Sequence, residues 1–232
     1  CSGLRNACGV LRVFLRYLHR ERVLEKDLSP VIESPQAFRM SGIPRSIAWE
    51  EIPRVLQQID RRTPIGKRDY AILLLLITYG LRAREVAALT LDDIDWHNDR
   101  LMIPERKGGH STAYPLSSVV GKAILDYLQN GRPQTQDRHV FFRAMAPCTP
   151  IGYAAISSRA GHYLRKAGVQ VPRAGSHTFR HTCVQRLVDA HFALKTIGDY
   201  VGHRSPGSTQ VYSKVDIKSL RQLALGDGET AI

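Results

Sequence analysis

The stretch Lys67–Tyr79 constrains the fold of this chain more than any other. From Ala71 to Ile77 it is apolar without interruption, reading Ala-Ile-Leu-Leu-Leu-Leu-Ile. A helix that is apolar nearly all round has no face to offer water and must be covered on every side. It is therefore expected to be the central helix of a layered domain, ended by Gly80. No apolar run approaches the roughly 20 residues that a bilayer span requires.

The other elements are read from their periodicity. Residues 4–20 place Leu4, Ala7, Leu11, Phe14, Leu15 and Leu18 on one helical stripe, with Arg5, Arg12, Arg16 and Arg20 largely off it. That stripe finds no partner in the next segment, since residues 27–45 carry Pro30, Pro35, Gly42 and Pro44 and read as a linker. A short helix is expected over Trp49–Ile59, with Ile52, Val55, Leu56 and Ile59 inward. Another follows Gly80 through Leu89. Leu91–Trp96 reads as extended. Leu101–Ile103 and Thr112–Tyr114 flank a glycine-containing turn with Lys107 near its tip, which is a β-hairpin pattern. Further helices are expected over Ser117–Gln129 (Val120, Ile124, Leu125 and Leu128 inward), Ile151–Ala167, Thr178–Ala190 with Ser176 as cap, Leu194–Val201 and Asp216–Leu225. Val140–Phe142 reads as a short buried stretch, and Arg159, Arg165 and Lys166 make the 151–167 helix basic, a pattern that is compatible with a DNA groove and does not decide for one. The fold class is mainly α with a small antiparallel β-sheet (α+β).

Charge narrows the partners. Lys and Arg number 33 against 21 Asp and Glu, a formal net charge of +12. This balance points to a polyanion, and to nucleic acid before a membrane surface. Cys1, Cys8, Cys148 and Cys183 are scattered without metal-ligand spacing, so neither a zinc site nor a disulfide framework is implied, and reduced cytosolic thiols are expected. The chain does not begin with Met and shows no secretory signal, and is expected to be part of a longer protein.

One segment concentrates groups suited to phosphate chemistry. His177 and Arg180, three residues apart, share a helix face. His203 follows Gly202, a helix end, and Tyr212 follows the turn Ser205-Pro206-Gly207. A local fold-back would bring His177, Arg180, His203 and Tyr212 to one point. Each piece alone has an ordinary structural explanation: a solvated face, a cap, a half-buried ring. Their order and spacing together are specific. His177-x-x-Arg180-His181, then Val201-Gly202-His203, then Tyr212 closely resemble the C-terminal motif of the tyrosine site-specific recombinases, the phage-integrase family. Thr78-Tyr-Gly-Leu-Arg82-x-x-Glu85-Val86 is similar to that family's first arginine motif. Lys107-Gly-Gly followed by Pro115-Leu116 is similar to its hairpin lysine pattern. The resemblance covers roughly residues 43–225. Ala48, where a Ser or Thr cap would be expected, and Cys183 and Val184 in the His-Arg helix depart from it.

The resemblance implies a tyrosine-recombinase catalytic-domain fold over 43–232, including a C-terminal tail, preceded over 1–42 by a remnant of the core-binding domain and a linker. It implies a site of Arg82, Lys107, His177, Arg180, His203 and Tyr212. Two guanidiniums would hold the charge that gathers on a phosphodiester under attack. His203 would add a hydrogen bond, Tyr212 would be the nucleophile, His177 would orient it or take its proton, and Lys107 would protonate the leaving 5′ oxygen. Glu85 would orient Arg82, Tyr200 would pack, and His181 would be structural. No cofactor is expected, neither metal nor ATP. The expected partners are double-stranded DNA and like subunits in a tetramer on two DNA sites, exchanging C-terminal segments, with no membrane and a cytoplasmic location. Accessory proteins stay open. The alternatives are a type IB topoisomerase and a DNA-binding protein with an inactive site.

Overall fold

The computed structural model describes residues 2–33, 46–106 and 110–202. It divides into two compact units, Cys1–Ile43 and Pro44–Ile232. In the first unit, helix α1 (Ser2–Arg20) is followed by a single 3-10 turn, Ser29–Val31. Arg12 Nε donates to the Ile32 carbonyl at 2.8 Å and Arg16 Nε to Ser29 Oγ at 3.2 Å. Two of the arginines read as a basic face thus tie the turn to the helix. Leu4, Leu11 and Phe14 on the apolar stripe are left uncovered by the rest of that unit.

The second unit contains α2 (Glu51–Gln57), α3 (Pro64–Tyr79), α4 (Ala83–Ala87), β1 (Ile94–Asp95), β2 (Arg100–Arg106), β3 (His110–Pro115), α5 (Ser118–Asn130), α6 (Tyr153–Lys166), α7 (Ser176–Asp189) and α8 (Leu194–Val201). The three strands form one antiparallel sheet in the order β1-β2-β3. The hairpin register pairs Leu101 with Tyr114, Met102 with Ala113 and Ile103 with Thr112. The segment Leu91–Asp93, expected to be extended, is a 3-10 turn, because the Asp93 carboxylate accepts from both the Thr90 N–H and its hydroxyl.

Helix α3 is the centre. Every residue from Ala71 to Ile77 is buried, and α4, α5, α6 and α7 all pack on it. It begins three residues earlier than the apolar pattern suggests. Thr63 caps it by accepting the Gly66 N–H at 3.0 Å, and Pro64 occupies the first turn, where its missing N–H costs nothing. On α5 the buried positions are Val120, Gly121, Ala123, Ile124 and Tyr127, whereas Leu125, expected inward, is exposed. The inward stripe is rotated toward Tyr127, whose ring stacks on Phe141 at a 5.6 Å centroid distance.

A buried charge cluster joins α3 to α6. Asp69 is fully buried and accepts from Arg68 Nη2 at 2.7 Å, Arg159 Nε at 2.7 Å and the Tyr163 hydroxyl at 2.9 Å. Burial, followed by the nearby Asp69 charge, pushes the Tyr163 hydroxyl up to about 12. Arg159, one of the residues that make this helix basic, anchors it to the core through Asp69. Lys166 donates to the Gln58 carbonyl at 2.9 Å. No described helix is long and apolar enough to cross a membrane.

Candidate active site

Two helix ends build the site. Helix α3 stops at Gly80 and α8 stops at Gly202, both with left-handed backbones (φ 59° and 65°). Glycine takes this conformation without the Cβ penalty. At Gly80 a Cβ would also come within 3.1 Å of Val201 and 3.2 Å of the Cys183 sulfur. The absent side chain therefore lets α3, α7 and α8 meet closely, so that the last carbonyls of two helices face one small region.

Those carbonyls receive the two arginines. Arg180, on α7 and only 5% exposed, donates to the Gly80 carbonyl through Nη1 and to the Val201 carbonyl through Nη2 at 2.6 Å. Arg82, between α3 and α4, donates through Nη2 to the Gly202 carbonyl at 2.7 Å. Its Nη1 meets Glu85 Oε1 at 2.8 Å, and its backbone N–H meets Glu85 Oε2 at 2.7 Å. Terminal carbonyls have no partner inside their own helix, and the helix dipole gives that end partial negative charge. A buried guanidinium satisfies both conditions. The expected pairing of Glu85 with Arg82 is seen in these two bonds.

His177 sits one turn before Arg180 on α7. Its ring keeps an exposed edge but is enclosed enough that burial lowers its pKa, and the charges of Arg180 and then Arg82 lower it further. All three groups therefore act within one electrostatic neighbourhood, which favours the neutral form of the imidazole. Ser176 does not cap this helix. It is the first helical residue, and its hydroxyl and N–H both lie 3.3 Å from Ser157 Oγ on α6, while Gly175 occupies the cap position. A capping geometry was thus overridden by packing against a neighbouring helix.

Tyr200 packs as expected. Its ring is partly buried against the core, and its hydroxyl donates to the Thr78 carbonyl at 3.1 Å. The departure at Cys183 is accommodated structurally. The thiol is 4% exposed and lies 3.6 Å from the Thr78 carbonyl, and burial pushes its pKa up to about 11. Lys107, His203, Tyr212 and the segment Asp216–Leu225 lie outside the described residues. The structure thus brings together Arg82, Arg180 and His177. It also shows two features absent from the sequence reading, the carbonyl anchors of α3 and α8 and a hydroxyl contact from Tyr114 to α8. Among the described residues no three His, Cys, Asp or Glu side chains gather where they could hold a metal ion.

Comparison with known proteins follows the same lines. The Phage integrase family model matches residues 45–218. The putative integrase/recombinase y4rA of Sinorhizobium fredii is 39% identical over 216 residues, covering 93% of this chain and 52% of that protein. The putative integrase/recombinase y4gC of the same organism is 40% identical over 188 residues, covering 79% of this chain and 95% of that protein. Tyrosine recombinase XerC 2 of Ralstonia nicotianae is 29% identical, covering 94% of this chain and 62% of the relative. The chain therefore spans about half the length of some relatives that it matches. Among solved structures, XerH site-specific recombinase in a post-cleavage complex with palindromic difH substrate superposes with a TM-score of 0.68 at 18% identity, over 79% of this chain and 53% of that one. XerA recombinase superposes with a TM-score of 0.65 at 20% identity, over 96% and 74%. With the fold, the arginine pair and the matched span in agreement, this chain belongs to the phage integrase family.

Proposed function

We propose that this chain is the catalytic part of a site-specific DNA recombinase that cuts and rejoins strands through a 3′-phosphotyrosyl intermediate. The observation that carries this reading is the arginine pair, Arg82 and Arg180, held on the ends of α3 and α8, with His177 one turn before Arg180 on α7. In the sequence Tyr212 lies 11 residues beyond Val201, the last residue of α8. Tyr212 Oη attacks the phosphorus, and the bond to the 5′ oxygen breaks. The tyrosine proton passes to His177, and Lys107 delivers a proton to the leaving oxygen. Arg82, Arg180 and His203 hold the non-bridging oxygens as charge develops on them, a stabilisation that acts in the transition state. A 5′ hydroxyl from another strand then reverses the steps, so the phosphotyrosyl link conserves the bond. A neutral imidazole is the form that can accept a proton, and the lowered pKa of His177 supplies it at neutral pH.

The partner in this reading is double-stranded DNA. The net charge of +12 supports it, as do relatives solved as DNA complexes, among them XerH with difH substrate and the Tn1549 transposon integrase with transposon right end DNA. Like subunits assemble as a tetramer on two sites in the cytoplasm. The test is a duplex selected by binding from a random library and nicked beside each candidate phosphate, so that the released fragment diffuses away. The chain should become covalently attached to the 3′ side without added metal or nucleotide. Binding without any covalent product over all nick positions would refute the reading.

A further inference from the structure

The C-terminus of α8 holds more than the two arginine anchors. Three successive carbonyls, those of Tyr200, Val201 and Gly202, accept side-chain donors from three different elements. Val201 takes Arg180 from α7 and Gly202 takes Arg82 from the α3–α4 turn. Tyr200 takes the hydroxyl of Tyr114, which lies on β3 near the base of the hairpin. Tyr114 is 2% exposed. Its ring lies 5.1 Å from that of Tyr79 at the end of α3 and 5.1 Å, edge-on, from that of Tyr200. The Tyr79 hydroxyl in turn donates to the Pro115 carbonyl and accepts the Ser117 N–H, both at 2.9 Å. The hairpin base, the end of α3 and the end of α8 are thus fastened through one tyrosine cluster.

We propose that Tyr114 is a positioning residue that couples the β2–β3 hairpin to the arginine pair through the end of α8. This rests on the recombinase reading above. The Tyr200 and Val201 carbonyls are adjacent on the same helix turn, so a shift that frees one re-aims the other. Arg82 and Arg180 are held by the next two carbonyls and move with them. The hydroxyl of Tyr114 therefore links the strand that follows Lys107 in the sequence to the groups that hold the phosphate. The hydroxyl contact can be removed while the Tyr114–Tyr200 ring contact stays, so its loss is partial and measurable rather than destructive.

Tyr114→Phe keeps the ring packing and removes only the donor. Single-turnover adduct formation at saturating DNA should slow about tenfold, the scale of one hydrogen bond to a buried carbonyl, with full final amplitude and DNA affinity within about twofold. Tyr127→Phe is the control, since it loses a buried hydroxyl contact, to the Phe142 N–H at 3.3 Å, far from α8. It should keep the parent rate constant. Hydrogen exchange without DNA should show protection lost over 194–202 in Tyr114→Phe, with α5 and α6 unchanged. An unchanged rate constant, a fall in amplitude alone, or protection lost evenly across the domain would each overturn the proposal. If the unmodified chain forms no adduct, the recombinase reading fails by itself, and the exchange pattern alone decides the coupling.

Discussion

Replacing Glu85 by Gln should slow cleavage without weakening DNA binding. In the structure the Glu85 carboxylate accepts from Arg82 Nη1 at 2.8 Å and from the Arg82 backbone N–H at 2.7 Å. Gln offers one oxygen and one NH2, so one of these donors must face another donor. Hydrogen bonds to charged groups contribute about 1.5–3 kcal/mol each. The two side chains are 27% and 10% exposed, so solvent weakens the pair only in part. We take about 2 kcal/mol as the loss of orientation at Arg82, which corresponds to roughly 30-fold in rate. Arg82 keeps its bond to the Gly202 carbonyl, so the effect is smaller than deletion of the arginine, for which about 10²–10³ is expected. Removing a carboxylate makes a basic surface more positive, so affinity for DNA should hold or rise. The assay is single-turnover adduct formation on a nicked duplex, with affinity measured separately by titration. A parent rate constant, or a loss confined to affinity, would refute the role given to Glu85.

His177 sets the acid side of the pH dependence. Its folded pKa lies below the ordinary value of 6.5, so the folded state binds fewer protons than the unfolded one in that window. Stability should therefore fall as pH drops from 6.5 toward the lowered pKa, with no contribution above 6.5. Cleavage, which needs the neutral ring, should lose rate with an acid midpoint below 6.5 that disappears in His177→Gln; a midpoint above 6.5 in the pH–rate profile would contradict this. Asp69→Asn removes a fully buried charge that lies between the buried Arg68 and the partly exposed Arg159. A loss of about 3–5 kcal/mol is expected, seen by calorimetry as a fall in Tm of roughly 10 °C. A fall of less than about 2 °C would show that the cluster carries little stability.

The features legible in the sequence were those that local chemistry dictates. The all-round apolarity of Ala71–Ile77 identified the central helix, and each of those residues is buried. Glycines at 80 and 202 marked helix ends, and both have left-handed backbones. The spacing of Arg82 and Glu85 gave their pairing, because residues three apart on a helix start face each other. What stayed hidden in the sequence were contacts between residues distant along the chain. Arg159 and Asp69 are 90 positions apart, and nothing local distinguishes this arginine from a solvated one. Tyr114 and Tyr200 are 86 apart, so the strand pattern alone carried no sign of the hydroxyl contact. Ser176 has the composition of a cap, yet Ser157 on a neighbouring helix takes its hydrogen bonds. The carbonyl anchors were invisible for a different reason: backbone acceptors leave no signature in residue identity.

The chain has nine tyrosines, and the account assigns the covalent bond to one of them. Proteolysis of the trapped adduct, followed by mass spectrometry of the nucleotide-bearing peptide, tests this directly. The account predicts a phosphodiester on Tyr212, carried by a 3′ nucleotide, and no adduct from Tyr212→Phe although that variant still binds the duplex. A nucleotide on Tyr200 or any other tyrosine, or an adduct that persists in Tyr212→Phe, would contradict it.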